Sequence, residues 1–537
     1  MNEISHLSVD PNQQQRLAAR PTASVWVSAS AGTGKTKVLT DRVLNLLLTG
    51  TQPQRILCLT FTRAAAAEME SRIADQLGRW TMMAEDILQN TLEELLGEKP
   101  EDQMIKRARR LFAEVLDTPG GMNIQTIHAF CQSLLGRFPL EADVAPHFAL
   151  MDERDAEEML IAAREDLLNR ARDGQDEELA AALAEVTSHI HETQFPDLLA
   201  ELTYARGRLR RLIDHHGDIG AVIENVRSLL SVSADETPDS VIAAASENEA
   251  FDELGLRVAI GALLEGNGND AKRGVRIQSW IDNTSRSLEA FFDYASIYLT
   301  DLTKASFNVR KTLITKPAAK KSSGVIDILN SEGIRLEQAI WHWRAVSIAK
   351  STAGLLVLGE ALLATYRALK EERALLDYDD LILLAGELLH REGVAPWVLF
   401  KLDGGIDHVL IDEAQDTSLD QWRVIEALAD EFFAGLGSHE TPRTIFAVGD
   451  VKQSIYSFQG ADPITFGAMR DQFAGRAQAA GQEWRPIDLT VSFRSTQAVL
   501  GAVVAVFSQA QAVDGVTLED EIIHHEEWRA EQGGLVE

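Results

Sequence analysis

Cysteine is almost missing from this sequence: Cys58 and Cys131 are the only two in 537 residues. That excludes a disulfide-stapled secreted scaffold and suits a reducing, cytoplasmic setting. Basic residues are also scarce, 51 against 82 acidic ones, for a formal charge of −31. A bulk basic surface that coats nucleic acid by charge alone is therefore excluded. Long uncharged apolar runs are lacking too. The best, from Gly354 to Tyr366, is broken by Glu360 and is shorter than the roughly 20 residues that a spanning helix needs. The opening MNEISHLSVD has neither the basic start nor the apolar core of a signal peptide. What is present is ordinary for a globular fold, 45% hydrophobic and 25% charged, at a length of about three to four domain-sized units. No repeat of fixed period is found.

Strands alternate with helices at both ends of the chain. Val25-Trp26-Val27 reads as a strand, followed by a small-residue turn from Ser28 to Gly34. Val38, Leu39, Val43, Leu46 and Leu47 then recur at helical spacing, with Gly50 as a stop. Ile56 to Leu59 is a second strand, and an Ala-rich helix starts at Ala64. His408 to Ile411, Thr444 to Val448 and Ile487 to Val491 are further short apolar strands. This alternation predicts an α/β fold with a parallel sheet. Between about Asp152 and Lys370, Ala, Leu, Glu and Arg dominate, which predicts an all-helical insertion. Lys316 to Gly324 reads as an exposed loop within it. The expected division is 1–150 and 371–485 for one α/β domain, 151–370 for the insertion, and 486–537 for a further α/β region.

Ala29-Ser30-Ala31-Gly32-Thr33-Gly34-Lys35-Thr36 fits a phosphate-binding loop, with Ala29 in place of the usual first glycine. Small residues let backbone N–H groups close on phosphate oxygens, and the helix that follows presents its positive end. Lys35 would reach the β and γ phosphates, and the Thr36 hydroxyl would serve Mg²⁺. The partner motif runs from Leu410 to Asp416. Asp412, at a strand end, would hold the Mg²⁺ shell, and Glu413 would orient and deprotonate the attacking water. Asp416 and Thr417 read instead as helix-capping residues.

With these motifs the chain resembles the UvrD/Rep branch of superfamily 1 helicases, motifs of that branch falling in order along most of the α/β portion. Gln15, with Gln13 and Gln14 beside it, stands where the family has an adenine-reading glutamine. Leu59-Thr60-Phe61-Thr62-Arg63 and Gln125-Thr126-Ile127-His128-Ala129-Phe130 resemble its single-strand contact motifs. Leu376-Asp377-Tyr378-Asp379-Asp380-Leu381 is another family feature. The stretch Val448 to Phe458 resembles the motif that couples ATP to DNA, and Val491 to Thr496 the Tyr-Arg-Ser motif, with Phe493 for Tyr. Within the family the wording of Ile127 to Gln132, Arg137 to Ala142 and Ser457 to Asp462 is closest to AddA-type proteins of double-strand break repair.

The resemblance implies RecA-like cores that use ATP and Mg²⁺, the second beginning at 486. It implies a DNA helicase moving 3′ to 5′ on single strands at broken duplex ends, with an AddB-type partner. It gives Gln453 as a γ-phosphate sensor, Arg494 as a guanidinium against the same phosphate, and Phe493 as the adenine-stacking ring. DNA contact would rest on Thr60, Phe61, Thr62, Arg63, Thr126, His128, Tyr456 and Phe458, the aromatics stacking bases with little sequence preference. Basic clusters at Lys106, Arg107, Arg109 and Arg110, at Arg206, Arg208, Arg210 and Arg211, and at Arg310, Lys311, Lys316, Lys320 and Lys321 are read either as duplex contacts or as solvated faces. The family's later motifs and an AddA-type nuclease domain are not found after Arg494. An N-terminal fragment is therefore expected, and an ATP-gated DNA-binding module or a stand-alone UvrD-like motor are the alternatives. A P-loop kinase or GTPase would not explain Gln453, Tyr456 and Arg494 in this order.

Overall fold

A computed structural model describes residues 11–174, 176–283, 285–320, 322–403, 405–433, 442–457, 460–513, 516 and 526–528. The chain divides into two compact units, 1–152 with 374–537, and 153–373.

The first unit is built on a six-stranded sheet. Its strands are β1 (Ser24–Ala29), β2 (Ile56–Thr60), β3 (Asn123–Thr126), β4 (His408–Ile411), β5 (Thr444–Gly449) and β6 (Trp484–Leu489). They lie in the order β3-β2-β4-β5-β1-β6, and every pairing is parallel. Residues alternate between faces along a strand, so each strand feeds two cores. Trp26, Leu57, Leu59, Val409, Ile411 and Ala447 pack with Phe130, Leu381, Trp422 and Phe473 on one face. Val25, Val27, Cys58, Leu410, Phe446 and Val448 pack with Leu39, Val43, Ile73 and Trp80 on the other. Each large apolar side chain so buried contributes about 1.5–3 kcal/mol. A parallel sheet covered on both faces leaves the carboxyl ends of its strands as the place for a ligand.

Two expectations need correction here. The boundary drawn at 486 falls inside β6, which pairs with β1 from Ser24↔Trp484 to Ala29↔Leu489. Residues 486–489 therefore complete the first sheet. The expected strand from Ile487 to Val491 is in fact β6 ending at Leu489, followed by a two-residue pairing of Val491–Ser492 with Glu526–Glu527.

The second unit is helical. Its spine is the 48-residue helix Val325–Glu372, about 72 Å long at 1.5 Å per residue. One 18-residue window of it, with mean hydropathy 1.5, is long and apolar enough to cross a membrane by length and composition alone. This amends the expectation that no stretch qualifies. In the unit the helix acts as a core element: Leu329, Leu336, Ile340, Leu358 and Leu362 are buried on it. At Gly354 a Cβ would lie 3.3 Å from the Ala182 carbonyl oxygen, so the spine lies very close to the helix Glu177–Thr187. The loop expected at 316–324 begins as a one-turn helix, Lys316–Ala319, because Ala318 turns inward with Leu313 and Ile314.

Candidate nucleotide site and nucleic-acid interface

The loop after β1 turns on two glycines in the left-handed region, Gly32 at φ 79° and Gly34 at φ 92°. Space also demands them. A Cβ at Gly34 would lie 2.8 Å from Gln15 Nε2, and one at Gly32 2.7 Å from Arg494 Cβ. Thr33 closes the turn, its N–H and hydroxyl both donating to the Ser30 carbonyl. The helix α1 (Lys35–Leu48) then starts with no side chain capping its N-terminus, so its first N–H groups remain available to an anion. Of the three neighbouring glutamines, Gln15 alone is buried, and its Nε2 donates to the Thr33 carbonyl at 3.0 Å. The Phe493 N–H donates to the Gly32 carbonyl at 2.9 Å, and the Phe493 ring lies 5.5 Å from Trp528. Arg494, the next residue, is exposed.

Lys35 and Glu413 are 378 positions apart, yet Lys35 Nζ donates to Glu413 Oε2 at 2.8 Å. Adjacent parallel strands make this possible: β4 delivers Asp412 and Glu413 at its carboxyl end, and the Asp412 N–H donates to the Leu59 carbonyl of β2. Glu413 sits in the left-handed region at φ 48°, an uncommon conformation for a non-glycine residue. Burial pushes Asp412 up to about 6 from 3.8, and the neighbouring Glu413 charge adds to this, while Lys35 and the Glu413 N–H pull the other way. Glu413 Oε1 and the Thr36 hydroxyl make no hydrogen bond among the described residues.

The carboxyl ends of β2, β3 and β5 bring up the remaining candidates. Phe61 and Tyr456 rings meet at 4.3 Å between centroids. Thr60 donates to the Thr62 carbonyl, Thr62 caps the helix Arg63–Met82, and Thr126 caps the helix Ile127–Arg137. The His128 ring stands edge-on to Tyr378 at 5.7 Å, and burial pulls its pKa below the ordinary value. A pocket of about 170 Å³ lies among Phe61, Arg63, Thr126, His128, Gln132 and Tyr378. Gln453 is exposed, and its Nε2 donates to Asp450 Oδ2 at 2.6 Å. Phe458 lies outside the described residues.

This arrangement fits a magnesium nucleotide. A glycine turn feeding an uncapped helix start suits phosphate, and a buried Asp412 beside a half-exposed Glu413 faces a single lysine, so the pair carries an excess of negative charge. Thr36 and Asp412 have the hard oxygen donors that Mg²⁺ takes.

The UvrD/REP helicase N-terminal domain matches residues 9–474. The chain belongs to the UvrD/REP helicase family. It is 28% identical over 524 residues to the AddA protein, an ATP-dependent helicase/nuclease component, of Pelotomaculum thermopropionicum, covering 93% of this chain and 38% of that protein. The corresponding protein of Geobacillus thermodenitrificans is 26% identical over 527 residues, covering 93% and 39%. That of Listeria innocua is 26% identical over 518, covering 90% and 38%. The chain thus spans well under half the length of these relatives.

Several residues of this UvrD/REP chain carry more than their sequence suggested. Arg42 is fully buried and donates to the carbonyls of Ala18, Arg20 and Ala23 and to the Thr444 hydroxyl. It thereby fixes the segment between Gln15 and β1. Its signal was a lone arginine inside the apolar stripe of α1. Asp416 and Thr417 do not cap the next helix: Ser418 caps Leu419–Asp430, in a capping box with Gln421. Asp416 instead accepts from the Gln415 amide at 2.9 Å. Two members of the first basic cluster also turn inward. Arg107 donates to the Leu47 carbonyl, and Arg109 to those of Trp80, Thr81 and Met83. Both close helix C-termini, where carbonyls lack partners and a cation is favoured.

Proposed function

We propose that this chain is the ATP-driven motor part of an AddA-like DNA helicase, acting 3′ to 5′ on single strands at double-strand breaks in the cytoplasm, with an AddB-type partner. The observation that carries the reading is the meeting of Lys35 with Glu413 at the strand ends that also bear Phe61 and Tyr456.

In this reading the loop N–H groups and Lys35 bind the β and γ phosphates. Gln15 and Phe493 hold the adenine, and Thr36 and Asp412 hold Mg²⁺. When bound, Mg²⁺ would neutralise charge on the phosphate oxygens. Glu413 Oε2 is already committed to Lys35, so Oε1 is the atom that orients water and takes its proton. Arg494 and Gln453 stabilise negative charge on the departing phosphoryl group. Phe61 and Tyr456 offer faces on which bases stack, Phe458 belongs with them, and Thr60, Thr62, Arg63, Thr126 and His128 hold the backbone. A few such groups bind a strand while the rest of the surface stays acidic. The domain reading follows the same lines: a first RecA-like domain interrupted by a helical insertion, and a second that begins after β6.

Lys35→Ala is expected to abolish DNA-stimulated ATP hydrolysis in a folded protein. Undiminished hydrolysis would overturn the site. Nucleotide-dependent DNA binding by the unsubstituted chain without strand separation would favour the ATP-gated binding module.

A further inference from the structure

We propose that Gln415 is a positioning residue that ties nucleotide state to the strand-contact segment; the proposal rests on the helicase reading above. Gln415 is 1% exposed, and its amide joins the Glu413 and Asp416 carboxylates to the Asp450 backbone. Its Nε2 donates to Glu413 Oε2 at 3.0 Å and to Asp416 Oδ2 at 2.9 Å. Its Oε1 accepts from the Asp450 N–H at 2.8 Å. The amide has a single workable orientation. Turned over, its oxygen would face two carboxylate oxygens and its NH₂ would face an N–H.

The neighbouring strand end is shaped to let this amide across. Gly449 has no positive φ, yet a Cβ there would lie 2.7 Å from Gln415 Oε1 and 3.1 Å from Gln415 N. Glycine is therefore required by the close approach of the amide to β5. Beyond the bridge, Asp450 accepts from the Lys452 N–H and from Gln453 Nε2. Together these bonds fix the turn Val451–Gln453 that leads to Tyr456 against Phe61.

At the other end, Glu413 Oε2 takes both Gln415 and Lys35. Any change in how Lys35 and Glu413 share charge alters the load on the Gln415 amide. That amide can shift only together with Asp416 and the Asp450 N–H. Gln415 thus acts through its neighbours and needs no contact with nucleotide or DNA.

The test is a binding cycle. Affinity of the protein for a short fluorescent oligo-dT is measured by anisotropy, with and without Mg²⁺ and a non-hydrolysable ATP analogue, and each ligand is also titrated alone. In the wild type the analogue should change oligo-dT affinity by about fivefold or more. In Gln415→Met that ratio should fall to within about twofold of one, while each ligand alone binds as before. A purely structural role would weaken the separate affinities instead. Circular dichroism checks the fold, and Gln415→Asn, polar but too short to span both strand ends, carries the same expectation if the first variant does not fold. Coupling retained in a folded variant overturns the proposal and leaves the helicase reading standing. Wild-type protein that binds neither ligand overturns the helicase reading and the proposal with it.

Discussion

In the helical unit Glu332 has both carboxylate oxygens taken; in the α/β unit Glu413 has one in use among the described residues. Arg335 grips Glu332 at both oxygens, each at 2.7 Å, and the Tyr294 hydroxyl donates to Oε1 at 2.8 Å. Tyr298 joins that hydroxyl at 3.3 Å, and Arg335 also reaches the Ala245 carbonyl. The network is closed, with charge matched by charge. The other network sets Asp412 and Glu413 against Lys35, strains Glu413 into a left-handed conformation, and leaves donors and acceptors for something else. A complete buried network serves the fold, whereas an open one that holds a strained residue is where a functional site is to be sought.

Among substitutions in the two units, one at Glu332 should have the largest effect. Glu332→Ala strands the Arg335 guanidinium and should cost about 3–5 kcal/mol, read by urea denaturation, with nucleotide affinity unchanged. A loss below about 1 kcal/mol, the scale of an ordinary hydrogen bond, would mean that the closed network does little for the fold.

Asp412 should respond in the opposite direction. A carboxyl raised to about 6 holds its proton more tightly folded than unfolded. Its contribution is therefore most favourable below the unfolded value near 4 and is lost as pH rises through 6. Asp412→Asn removes that loss, so without nucleotide the variant should be about 1–3 kcal/mol more stable at pH 7. The gain should shrink toward pH 4, and Mg²⁺-dependent nucleotide binding should be lost. A destabilised variant would contradict the reading of this site as one lacking positive charge.

The smallest effect is expected at Arg109, whose guanidinium closes the end of the helix Arg63–Met82. Arg109→Ala should cost about 1 kcal/mol and leave DNA affinity and its salt dependence unchanged. A shallower salt dependence would return this side chain to the DNA-contact reading.

Much of this was legible along the chain. The glycine turn at Ala29–Thr36 and the acidic strand end at Asp412 can be located from sequence, because both are local patterns of residue type in consecutive positions; the nucleotide and Mg²⁺ roles given to them remain part of the proposal. The helical stretch is legible from composition. Neighbour relations between strands are not: nothing local in Trp484–Leu489 says that it lies beside β1, so the boundary at 486 fell inside it. Arg107 and Arg109 look like free charge in sequence, because the carbonyls they satisfy belong to other helices. Gln415, between Ala414 and Asp416, carries no signal in sequence, because its amide acquires meaning only when β5 supplies the Asp450 N–H.

Hydrogen exchange of the protein with and without Mg²⁺ and ADP tests the central contrast most directly. Slowed exchange is expected at 30–36, 412–416 and 450–454, with no change at 288–298 or 329–340, where the closed network lies. Unchanged exchange at 30–36 and 412–416, or protection confined to the helical unit, would contradict that contrast.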